Sequence, residues 1–94
     1  MAIETTVFDF KISRNFDEWA AVYDSQENQE MLKGAGISSL YRGLNKEDSS
    51  RAIVIFQAEK GVAMGMWNNP ESKALIESSG HIYDETIITQ WIDG

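Results

Sequence analysis

His81 is the one histidine of this 94-residue chain, and the only side chain whose charge ordinarily changes near neutral pH. It could act as a general base, bind a ligand through a hydrogen bond, or hold a haem iron. It follows Ser78-Ser79-Gly80, where a helix should give way to a strand, so it is expected at a rim. The plainer reading is a strand-end histidine held by a carboxylate such as Asp84 or Glu85. Tyr41 and Tyr83 are the phenols that could move protons with it. Neighbouring strand residues face opposite ways, so Tyr41 facing inward would leave Arg42 under helices or at an edge. The opposite register would put Arg42 inside, where it could bind an anion. A core tyrosine and an ordinary surface arginine would explain the pair equally. Trp67 and Trp91 are candidate ligand-binding residues. With Trp19 they make three tryptophans, many for a chain this size, and core or interface packing accounts for them as readily as an aromatic ligand cavity does. Met64 and Met66 beside Trp67 suit either reading, because methionine fills irregular gaps.

Other chemistries find little support. Gly61 and Gly65 lie four apart and Gly34 and Gly36 two apart, without the spacing or the Lys-Ser/Thr of a phosphate loop. There is no Gly-x-Ser-x-Gly and no cysteine, so a thiol nucleophile, disulfides and Cys-based zinc sites are excluded. One histidine makes a His-rich metal site improbable within one chain. Neither a metal nor a cofactor is therefore expected. The net charge is −7, from 15 acidic and 8 basic residues. That opposes nucleic acid and anionic membrane as partners, because both need a basic face. The N-terminus has neither a basic segment nor a long apolar run, and no stretch approaches transmembrane length. A cytoplasmic location is the expectation.

The elements that must position these residues centre on Arg51–Ala58. This run is apolar and β-branched, without Gly or Pro, and reads as a central strand. Ala52, Val54, Phe56 and Ala58 point one way; Ile53, Ile55 and Gln57 point the other. Ile3–Ile12 is a first strand. Asn15 caps a helix, with Glu18 completing a capping-box-like pattern. Phe16, Trp19, Ala20, Tyr23 and Met31 then make one stripe of a helix of about four turns, with Glu27 a break in it, ending at Gly34. Ile37–Leu44 reads as a second strand, with Ile37, Ser39, Tyr41 and Gly43 on one face. Asn45–Ser50 joins it to the central strand as a hairpin. Val62, Ala63, Met66 and Trp67 have helical spacing, and Gly61 and Gly65 either weaken that helix or allow close approach to the sheet. Asn69-Pro70 restarts a short helix anchored by Leu75 and Ile76. His81–Ile92 is the last strand, with His81, Tyr83, Ile87 and Trp91 expected on one face.

The order β-α-β-β-α-β, with the second helix broken in two, is the ferredoxin-like α+β arrangement around a four-stranded antiparallel sheet. Residues 1–94 are expected to form one such domain. Both helices cover one sheet face, leaving Ile53 and Ile55 bare on the other. A thin core and a bare apolar face predict a homodimer with its two sheets packed face to face, a dimeric α+β barrel.

The chain resembles the dimeric α+β barrel superfamily, which includes antibiotic-biosynthesis-type and haem-degrading monooxygenases. More narrowly it is similar to short uncharacterised proteins of marine cyanobacteria. The matching features are Thr5-Thr6-Val7-Phe8, Phe16-Asp17-Glu18-Trp19, Ala35-Gly36-Ile37, Tyr41-Arg42-Gly43, Gln57-Ala58-Glu59 and Ile76-Glu77-Ser78-Ser79-Gly80-His81. The haem-degrading branch pairs an axial histidine on the second helix with polar and aromatic neighbours. Here that helix has no histidine, and His81 opens the strand after it, which counts against haem. Two readings follow. One is a small homodimeric ligand-binding or regulatory protein. The other is a cofactor-free monooxygenase or isomerase acting on an aromatic or polyketide-like molecule, with His81 and Tyr41 or Tyr83 moving protons in a dry pocket. A pocket joining Tyr41, His81 and a tryptophan would favour the enzyme.

Overall fold

The computed structural model describes residues 3–92. Its elements run β1 (Ile3–Ile12), α1 (Phe16–Tyr23), α2 (Gln26–Gly34), β2 (Ser38–Leu44), β3 (Arg51–Glu59), α3 (Val62–Trp67), α4 (Pro70–Ser78) and β4 (His81–Ile92). The strands form one antiparallel sheet in the order β2-β3-β1-β4. This is the expected α+β ferredoxin-like architecture, with β1 and β3 central and the second helical segment divided between α3 and α4.

Strict alternation in β1 and β3 builds the core. Phe8, Phe10, Ile12, Ala52, Val54, Phe56 and Ala58 are buried against the helices, while Val7, Ile53 and Ile55 on the opposite face are only half-buried. From the helical layer, Trp19, Ala20, Leu32, Ala63 and Trp67 close over that core. The other sheet face carries no helix.

The first helical segment is not the continuous helix the stripe suggests. It breaks at Asp24 and Ser25, because Ser25 caps a new helix: its Oγ accepts from the Asn28 N–H at 3.3 Å. The Asn28 and Gln29 side-chain amides both donate to the freed Tyr23 carbonyl, at 2.7 and 2.8 Å. Glu27, the break in the stripe, is thus a first-turn residue of α2, where an acid suits the helix dipole. α2 ends at Gly34 as expected, and the left-handed position that follows it belongs to Gly36, at φ 77°. The Ile37 N–H bonds the Leu32 carbonyl and the Gly36 N–H bonds the Lys33 carbonyl, which is a complete Schellman motif. Asn15 and Asn69 cap α1 and α4 as expected, with Pro70 in the first turn of α4. Gly65 faces open space, so close approach to the sheet is not its role.

Two irregularities re-aim side chains. In β2, Ser39 pairs with Phe56 and Tyr41 with Ile55, so Leu40 is an extra residue on that strand. Ser39 therefore faces the helices and Tyr41 the open face, rather than sharing one side. In β4, Phe10 pairs with Thr86 but Ile12 pairs with His81. Two steps along β1 thus span five along β4, and the bulged residues 82–85 break the alternation. His81, Tyr83 and Thr86 all turn toward the helices, while Ile87 and Trp91 stay on the open face. The expected common face for His81, Tyr83, Ile87 and Trp91 does not form.

Candidate functional site

Between the sheet and the helices lies a cavity of about 110 Å³. Its floor is Phe8, Phe10, Val54 and Phe56; α1 contributes Trp19 and Tyr23, α3 contributes Met66 and Trp67, and β4 contributes His81. Glu27, Asn28 and Met31 of α2 line it on one side, and Leu75, Ile76 and Ser79 on the other.

The cavity wall is a closed circuit of aromatic rings. His81 stacks on Phe10 at 3.7 Å between centroids, and Phe10 meets Trp19 at 5.4 Å. Trp19 stacks on Tyr23 at 5.0 Å, and Tyr23 lies 6.5 Å from Phe56. Phe56 meets Phe8 edge-on at 5.5 Å, Phe8 meets Trp67 at 5.0 Å, and Trp67 returns to His81 at 5.4 Å. Ring pairs at these separations attract one another beyond their burial and hold the wall in shape. Tyr83 backs the circuit from outside. It stacks on Trp67 at 4.2 Å and its hydroxyl donates to the Trp67 carbonyl at 2.8 Å.

His81 is buried, not at an exposed rim, and neither Asp84 nor Glu85 holds it. Its Nε2 lies 2.8 Å from Thr86 Oγ1, whose hydroxyl donates to the Ile82 carbonyl at 3.1 Å. A carbonyl can only accept, so this bond uses the single threonine proton. With the proton there, Nε2 carries the imidazole hydrogen and donates to Thr86, and Nδ1 keeps its lone pair. Burial pushes the His81 pKa down to about 3, so the ring is neutral.

The polar atoms of the lining divide in two. The Tyr23 hydroxyl is paired with Ser39 Oγ at 2.7 Å, and burial raises its pKa. Ser79 Oγ donates to the Ile76 carbonyl at 2.6 Å. His81 Nδ1 and the indole N–H groups of Trp19 and Trp67, by contrast, make no hydrogen bond among the described residues. No buried side-chain polar atom there lacks a partner, so these three atoms keep open surface. Among the described residues, no group of three or more His, Cys, Asp or Glu side chains comes together to hold a metal.

The other candidates lie elsewhere. Tyr41 sits on the open sheet face, 58% exposed, at the far edge from His81. Its ring lies across Gly43, where an added Cβ would come within 2.7 Å of the tyrosine hydroxyl. Arg42 is on the helix side of the β2 edge. Both its guanidinium Nε and NH2 groups bond the Asp24 carboxylate, and the group lies 5.5 Å from the Phe16 ring centroid. The Asp24 bond raises its pKa and makes it a tether across the α1–α2 break. Trp91 is 63% exposed on the open face, its N–H donating to Thr89. The structure therefore joins His81, Trp67 and Tyr83, and separates Tyr41, Arg42 and Trp91 from them. Trp19, which the sequence leaves between packing and an aromatic cavity, lines the cavity, and so does Tyr23, which the sequence marks only as part of the helical stripe Phe16, Trp19, Tyr23.

The chain belongs to a family described as a domain of unknown function, DUF3764, whose model matches residues 3–93. No curated protein matches its sequence. Among solved structures, a dimeric protein of unknown function and ferredoxin-like fold from Bacteroides fragilis is similar, with a TM-score of 0.58 at 15% identity over 95% of this chain and 94% of that one. SnoaB, a cofactor-independent oxygenase from Streptomyces nogalater, gives a TM-score of 0.57 at 8% identity over 100% of this chain and 93% of that one. At these identities the likeness is one of fold. No helix among the described residues is long and apolar enough to cross a membrane.

Proposed function

We propose that this protein is a homodimeric, cofactor-independent oxygenase whose substrate is a hydroxylated aromatic molecule held in the cavity between sheet and helices. The observation that carries the reading is the closed aromatic circuit with one neutral, singly bonded imidazole in it. Its fold relationship to a cofactor-independent oxygenase supports it. Oxygenation without a cofactor needs a substrate that can give electrons to dioxygen once it has lost a proton. A hydroxyarene qualifies. His81 Nδ1 takes a proton, and the resulting anion adds dioxygen at a ring carbon. The imidazolium returns the proton to the peroxide, and loss of water leaves a quinone. The sum is hydroxyarene plus dioxygen giving quinone plus water. An imidazole with a pKa near 3 is a weak base in the empty cavity. The substrate anion beside it supplies the counter-charge that burial otherwise withholds. Tyr83 would act as a positioning residue through Trp67.

The open sheet face supports the dimer. Ile53 and Ile55 are half-buried there, and Tyr41, Ile87 and Trp91 stand 58–63% exposed. A second copy would cover this face and form the barrel, and the similar Bacteroides protein is described as dimeric.

The test is dioxygen uptake and quinone formation by purified protein, with a chelator present, across one-, two- and three-ring hydroxyarenes. Uptake above the protein-free rate that His81→Leu abolishes is the expected result. Binding of the same compounds without uptake would overturn the enzyme and favour a ligand-binding or regulatory protein. The depressed basicity of His81 is the observation on that side.

A further inference from the structure

We infer that the cavity selects a neutral, single-ring hydroxyarene, with the ligand hydroxyl donating to His81 Nδ1 and accepting from the indole N–H of Trp19 or Trp67. This rests on the cavity being the site, and it narrows the ligand by size, charge and hydrogen bonding.

Size comes first. The cavity measures about 110 Å³. An engineered apolar cavity of roughly 150 Å³ takes up benzene. This smaller space holds one ring at most, and a fused tricyclic molecule would have to part the helices from the sheet.

Charge comes second. No lysine or arginine lines the cavity, and Glu27 is its one charged group. The chain as a whole carries −7. A carboxylate or phosphate entering this space would lose its hydration and gain no cation, which disfavours its binding. A neutral molecule meets no such penalty.

Hydrogen bonding comes third. Trp19 is 2% exposed and Trp67 6%, yet their N–H groups are neither bonded nor buried orphans among the described residues. Both tryptophans line the cavity, and the inference places their N–H groups at its wall. His81 Nδ1 has its open lone pair by the same reasoning. Two donors and one acceptor on the aromatic part of the wall suit a group that both gives and takes a hydrogen bond. A phenolic hydroxyl is the smallest such group on a flat ring. Benzene would leave all three atoms unpaired.

The experiment follows the three indole N–H resonances by NMR while the protein is titrated with phenol, benzene, benzoate, 2-naphthol and a tricyclic phenol. Trp91 is the internal control, since its N–H lies on the opposite sheet face. Phenol should move the Trp19 and Trp67 signals and leave Trp91 still, binding about tenfold more tightly than benzene or benzoate, as one or two net hydrogen bonds would give. Benzoate binding as tightly as phenol would overturn the charge argument. A tricyclic phenol binding more tightly than phenol would overturn the size argument while keeping the cavity as the site. Trp19 and Trp67 signals unmoved by every compound would refute the site itself. These outcomes need no turnover, so they stand apart from the oxygenase test.

Discussion

Lowering the pH from 7.5 to 5 should cost the folded protein about 2 kcal/mol through His81 alone. The folded imidazole has its pKa pushed down to about 3 by burial, against an ordinary value of 6.5. Between those values the unfolded chain binds a proton that the folded chain refuses. The unfolded state then holds more protons, so stability rises with pH and falls with acid. The loss begins near pH 6.5, reaches about 2 kcal/mol at pH 5 and about 4 kcal/mol at pH 3, and levels off below that. Carboxylates titrate over part of the same window, so the assay must subtract them. Urea denaturation of the wild type and of His81→Gln at both pH values does so. Gln has no titrating group, and its carboxylate background is shared. The wild type should lose about 2 kcal/mol more than the variant between pH 7.5 and 5. Equal losses within about 0.5 kcal/mol would show that the imidazole is hydrated in the folded state, and the dry cavity would fall with it.

Tyr83→Phe keeps the stack on Trp67 but removes the hydroxyl bond to its carbonyl. It should cost about 1 kcal/mol in urea denaturation, and the Trp67 indole resonance should shift while that of Trp91 does not. Gly36→Ala should cost about 1–2 kcal/mol, because the residue sits at φ 77° with open space around it, so the penalty is backbone strain without a clash. A loss under about 0.3 kcal/mol would mean the α2 terminus rearranges freely. Ile55→Asp places a charge at the middle of the open sheet face and should convert dimer to monomer in native mass spectrometry; an unchanged dimer would move the interface elsewhere.

How much was legible in the sequence depended on whether a strand kept its alternation. In β3 every residue fell on its expected face, because Ala52, Val54, Phe56 and Ala58 could be read against Ile53 and Ile55 without a break. Both edge strands failed at one point each. Leu40 is as suited to a regular strand as to a bulge, so nothing in its type warned that Ser39 and Tyr41 would part. In β4 the residues Ile82–Glu85 carry no glycine or proline at the irregularity. The cause is tertiary: Phe10 stacks on His81 and Trp67 stacks on Tyr83, and both contacts require those rings on the helix side. Local pattern cannot report a register chosen by distant partners. The α1–α2 break was the reverse case. Ser25 followed by Glu27 and Asn28 is a helix start, and the apolar stripe running past it masked the signal.

Those two bulges also decide what the two sheet faces can do. Without the β4 bulge, His81 would share the open face with Ile87 and Trp91, and any chemistry would sit in the proposed interface between copies. With it, the histidine turns into a cavity made by one chain's sheet and helices. Leu40 performs the converse move at the other edge, sending Tyr41 outward beside Ile55 while Arg42 ties Asp24 beneath the helices. The central strands, buried on one face by Phe8, Phe10 and Phe56, run between the two. The proposed dimer face and the cavity therefore draw on different residues of the same strands. A charge at Ile55 acts on one face and a change at His81 acts on the other. The two perturbations should be additive in stability and separable in effect, since their side chains share no partner across the sheet.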